Sequence, residues 1–120
     1  MVLTDRNGRV RANLLVQDDG GPALSFRDGN GRARILIDSL SDGTPGLSFR
    51  DADEAIRFSA VVLPGGIPGL NLVDRDGDPR IVIHTGTDGE PHLKLLGKER
   101  SVLFEAPAGG PVALEPKRRN

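Results

Sequence analysis

Two kinds of ionisable side chain recur along this sequence with a spacing of 23 residues. Asp5, Asp28, Asp51 and Asp74 form one column, and Arg11, Arg34, Arg57 and Arg80 form another. Such columns allow two kinds of chemistry. One is a row of binding sites, one per repeat, that offers guanidinium groups to anionic ligands or sugars. The other is structural: each Asp opens a turn, and each Arg bridges to the Asp of its own or an adjacent hairpin. A guanidinium suits bidentate pairing with a carboxylate. Exposed pairs of this kind contribute only about 0–1 kcal/mol each, but a ladder of them fixes strand register. The structural reading is the one the pattern favours.

Other candidate chemistry is thinner. Asp74-Arg75-Asp76-Gly77-Asp78 resembles part of a calcium loop, yet it lacks the bidentate Glu that such a loop needs. The sister stretches Asp5-Arg6-Asn7-Gly8 and Asp28-Gly29-Asn30-Gly31 carry fewer carboxylates, so turn formation explains all three. His84 and His92 flank the loop Thr85–Pro91 and could meet across it, with Asp88 or Glu90 as a third metal ligand. Nothing else in the sequence supports that site, and no metal or cofactor is expected. No Ser-His-Asp or Cys-His set can be assembled, so no catalytic residue is assigned. Gly20-Gly21 and Gly65-Gly66 precede strands, not helices, which removes the usual phosphate cradle. Lys117, Arg118 and Arg119 are too few for a nucleic-acid footprint, and no aromatic platform accompanies them.

The elements that position the columns follow from the same period. Four ungapped segments, 1–22, 23–45, 46–68 and 69–91, each end on a proline. A period of this length means one supersecondary unit copied along the chain. In the second unit, Leu24 and Phe26 alternate with Ser25 and Arg27, a strand pattern. Asp28-Gly29-Asn30-Gly31 is turn chemistry. Ala33, Ile35 and Ile37 then share one face, opposite Arg34, Leu36 and Asp38. Ser41 to Pro45 closes the unit as a loop. Each repeat therefore reads as a β-hairpin, and the array as an antiparallel meander of about ten or eleven strands. Glu54 stands where the other copies have Gly8, Gly31 and Gly77. A non-glycine residue held left-handed costs about 1–2 kcal/mol, so a different turn is expected there. The stretch 92–114 is a degenerate capping repeat without the Asp and Arg columns, with a last strand at Val112–Leu114. Residues 115–120 form a polar tail.

Composition bounds the rest. The 120 residues make one domain, with a net charge of -1 that gives no global attraction to nucleic acid or membrane surfaces. Only 37% are hydrophobic, and the aromatic residues are Phe26, Phe49, Phe58 and Phe104 alone. A core this thin invites completion by a partner copy. The absence of cysteine excludes disulfides and thiolate metal sites. The first residues do not read as a signal peptide, and no run is long enough for a membrane helix. The compartment is left open between the cytoplasm and a soluble domain cut from an exported or anchored protein.

The consensus L-x-[FL]-x-D-x-x-G-x-x-R, closing on D-G-x-P, resembles a tandem hairpin repeat of uncharacterised bacterial proteins. It is also loosely similar to the Rhs/YD repeats, with Phe26, Phe49 or Leu72 in place of their tyrosine. The resemblance carries over no catalytic residue and implies a scaffold or cell-envelope role. The expectation is an all-β, non-enzymatic structural or interaction module: a spacer, stalk or assembly subunit. Its one-sided sheet is expected to be covered in a homo-oligomeric β-prism, a trimer above other symmetries. A monomeric β-barrel or a β-solenoid is the alternative architecture. The rival function is a glycan- or small-ligand-binding repeat protein, against which the lack of Trp and Tyr counts. The identity of a protein or glycan partner is not written in the sequence.

Overall fold

The computed structural model describes residues 1–107. The expected strand at 112–114 and the tail 115–120 lie outside the described residues. The strands are β1 (Val2–Thr4), β2 (Val10–Val16), β3 (Pro22–Arg27), β4 (Ala33–Ser39) and β5 (Pro45–Arg50). They continue as β6 (Ile56–Leu63), β7 (Ile67–Val73), β8 (Pro79–Thr85), β9 (Pro91–Leu96) and β10 (Val102–Ala106). A single 3-10 turn, Lys98–Arg100, joins the last two. All ten form one antiparallel sheet in sequence order. β1 and β10 have one neighbour each, so the sheet stays open and the barrel alternative is excluded.

Most turns, at either end of the hairpins, use glycine where the chain must turn left-handed. At the Asp end, Gly8, Gly31 and Gly77 have φ of 79°, 82° and 89°. Glu54 takes the same conformation, with φ 64°. Its turn is the same one: the Asp51 amide donates to the Ala55 carbonyl and the Glu54 amide to the Asp51 carbonyl, both at 3.0 Å. The expectation of a different turn is thus corrected. The Asp51 carboxylate and the flanking strands hold the loop, and the Glu54 side chain accepts from the Ala33 amide at 3.3 Å. Those contacts offset the cost of the left-handed residue.

Pairing registers put one face of the sheet into continuous rows. The first runs Leu3, Ala12, Phe26, Ile35, Phe49, Phe58, Leu72, Ile81, Leu95, Phe104, one residue per strand. We call it the aromatic row. The aliphatic row beside it runs Leu14, Leu24, Ile37, Leu47, Ala60, Leu70, Ile83, Leu93, Ala106. The opposite face carries Asn13, Ser25, Leu36, Ser48, Ser59, Asn71, Val82, Lys94 and Glu105 in register. Alternation of side chains along each strand separates the two sets.

Among the described residues the sheet has no second layer. Of those residues only Ala12, Gly21, Ala23, Ser25, Ala33 and Ser48 are buried, all of them small. Phe26, Phe49 and Phe104 remain 40%, 43% and 50% exposed. Full burial of a Leu or Phe side chain is worth about 1.5–3 kcal/mol, and a single copy leaves much of that gain unrealised.

Candidate functional site

The two ionisable columns meet at the Asp end of each hairpin. A turn residue supplies the carboxylate, and a β-bulge supplies the guanidinium. In the β3–β4 pair, Phe26 faces Ile35 and Arg27 faces Ala33, so Arg34 is the extra residue. Arg11, Arg57 and Arg80 are the extra residues of their own hairpins in the same way. A bulge unpairs one residue and re-aims its side chain. Here it brings each Arg to its Asp: Arg11–Asp5 at 3.7 Å, Arg34–Asp28 at 3.5 Å, Arg57–Asp51 at 3.4 Å and Arg80–Asp74 at 2.7 Å.

Each guanidinium also reaches the next hairpin. Arg11, Arg34 and Arg57 donate through Nε to the carbonyls of Arg27, Arg50 and Val73 at 3.0, 2.8 and 2.8 Å. Arg80 donates through a terminal nitrogen to the Leu96 carbonyl at 3.3 Å. One side chain therefore ties a turn, a bulge and a neighbouring strand together.

The carboxylates are equally occupied. Asp5 Oδ1 accepts from the amides of Asn7 and Arg9, Asp28 from Asn30 and Arg32, Asp51 from Asp53 and Ala55, and Asp74 from Asp76 and Asp78. These bonds favour the ionised form. The amide of Arg9 does most to hold the Asp5 carboxyl below the usual carboxylate value, with that of Arg32 for Asp28, Asp53 for Asp51 and Asp78 for Asp74. The side chains of Arg9 at Asp5, Arg34 at Asp28, Arg57 at Asp51 and Arg80 at Asp74 lower it further, against a partial loss of solvent. A carboxylate saturated in this way is a poor proton donor at neutral pH.

The calcium-like stretch has the same explanation. Asp74 Oδ1 serves two amides while Oδ2 accepts from Arg80 Nε at 2.7 Å. At the other end of the sheet, His84 and His92 face each other across β8 and β9, their rings stacked with centroids 4.9 Å apart. Asp88 is engaged by the Glu90 amide at 3.0 Å. No cluster of three or more His, Cys, Asp or Glu side chains among the described residues is placed to hold a metal ion.

Several polar contacts lie outside the two columns. Arg9 and Arg32 donate to the carbonyls of Gly29 and Ala52, twenty residues ahead in each case, at 3.2 and 2.9 Å. Their shared offset within the repeat is the signal that could have found them. Ser25 donates to Asn13 across the polar face. The chain matches no protein-family model and no curated protein. What remains uncommitted after these contacts is the apolar face. There, Ile37, Leu47, Val62, Leu70 and Ile83 wall a trough of about 560 Å³ that runs over Ala60.

Proposed function

We propose that this chain is a non-enzymatic structural or interaction module, a spacer, stalk or assembly subunit, that works as a homo-oligomer. One observation carries the reading. Two unbroken apolar rows cross the whole sheet, and nothing within the described residues covers them. Contiguous apolar patches beyond a few hundred Å² mark interaction surfaces on soluble proteins. Three copies around a shared apolar axis would cover each sheet equally, and the trimer is the symmetry we favour.

The polar groups support the same reading. The guanidiniums that would greet an anionic ligand are spent on carboxylates and main-chain carbonyls. Light scattering across a concentration series tests the proposal. A multiple of the 12.8 kDa chain mass at micromolar concentration is expected, and a monomer throughout would sink it. A glycan array is expected to stay blank; saturable binding there would favour a one-site-per-hairpin ligand protein instead.

A further inference from the structure

The large and small side chains of the apolar face are distributed in complementary positions. Phe58 of the aromatic row stands on the same strand as Ala60 of the aliphatic row, and Phe104 on the same strand as Ala106. The rings of Phe49 and Phe58 stack with centroids 5.0 Å apart, which builds a ridge at the middle of the sheet. Beside that ridge, at the same strand level, lies the trough over Ala60. A bump and a hollow at one level of one face can satisfy each other only across two copies.

We propose that a second copy of this chain covers the apolar face in parallel orientation, related by rotation about an axis that runs along the rows. This rests on the homo-oligomer reading above and adds its geometry. Rotation about that axis carries the aromatic row of each copy over the aliphatic row of the next. Equal strands then meet at equal levels, and the Phe58 ring enters the trough above Ala60 of the other copy. The same pairing sets Phe104 against Ala106, Ile35 against Ile37, and Leu72 against Leu70. Rotation about an axis along the strands would instead lay aromatic row on aromatic row. It would press ridge on ridge and leave the trough empty, and both overpacking and voids destabilise an interface. The area is sufficient. Ten strands at about 4.8 Å spacing span about 43 Å. The two apolar rows, together with the loop-side row of the same face, which pairs Val16 with Pro22 and Val62 with Pro68, occupy about 20 Å along each strand. The resulting face of about 860 Å² matches the roughly 800 Å² per partner of a standard stable interface.

The cysteine-free sequence permits a direct test by single substitution. Leu24→Cys lies on β3 and Leu93→Cys on β9, six strands or about 29 Å apart. With a short bismaleimide, each variant is expected to cross-link to itself. A mixture of the two is expected to give no mixed product. Mixed cross-links without self-cross-links would overturn the parallel arrangement while leaving oligomerisation intact. A wild-type monomer in light scattering would remove both. As a second measurement, Ala60→Phe fills the trough and is expected to weaken self-association about tenfold. Ser59→Phe, on the opposite face, is expected to leave association unchanged. Equal effects of the two would reject the proposed docking.

Discussion

The first four hairpins and the fifth are built on one plan but closed by different means. In hairpins one to four, an Asp carboxylate organises the turn and a bulged Arg locks it to the next strand. In the fifth, Gly97 stands in the Asp column and Leu103 in the Arg column. The bulge survives, with Leu103 as the unpaired residue between Val102 and Phe104. The clamp does not: Leu103 is 71% exposed. The loop must then hold two non-glycine residues left-handed, Glu99 at φ 56° and Arg100 at φ 59°. Ser101 partly replaces the Asp by donating through Oγ to the Lys98 carbonyl at 2.9 Å. The bulge is therefore a property of the hairpin's register, whereas the relaxed turn is a property of the Asp.

Acid should separate the two regions most strongly. The four Asp carboxyls titrate lower in the folded chain than when unfolded. Their contribution is complete above about pH 4 and is lost as pH falls through the lowered folded values. Hydrogen exchange below pH 4 should release the amides of Asn7, Asn30, Asp53 and Asp76 before that of Gly97. Simultaneous release would show that the clamps do not set local stability. Next in size, Asp74→Ala should lower Tm by about 5–10 °C, because two amides and one guanidinium lose their acceptor. Arg57→Ala should cost less, about 2–5 °C, since exposed ion pairs are weak and one carbonyl bond goes with it. The exposed control Arg6→Ala should not shift Tm. Smallest of the expected shifts, Glu54→Gly should raise Tm by about 2–4 °C by releasing the left-handed strain. A fall instead would mean that the bond from the Ala33 amide outweighs it.

Much of this architecture was legible because period-two alternation and a 23-residue repeat reinforce each other. Ala12, Leu14 and Val16 share the apolar face as the alternation implies, but the bulge corrects the first member of each series: Val10 pairs with Thr4, Ala33 with Arg27 and Ile56 with Arg50, on the opposite face. Glu54 departs from the expected turn because the Asp51 network over-determines its loop and outweighs the steric rule for a single residue. The reach of Arg34 to the Arg50 carbonyl depends on a bulge, and a bulge shows only when two strands are laid side by side. The stacking of His84 on His92 follows from register across β8 and β9, which fixes what spacing merely allowed. Barrel closure was undecidable from sequence, since it depends on accumulated twist over ten strands and not on any residue type.

The clamp never reaches beyond the adjacent hairpin, and this locality makes the molecule a ruler. Each 23-residue unit adds two strands, or about 9–10 Å. Inserting or deleting one whole unit would change the length by that increment while every other clamp kept its partners. The reach of the protein is thereby adjustable in equal steps, through copy number alone.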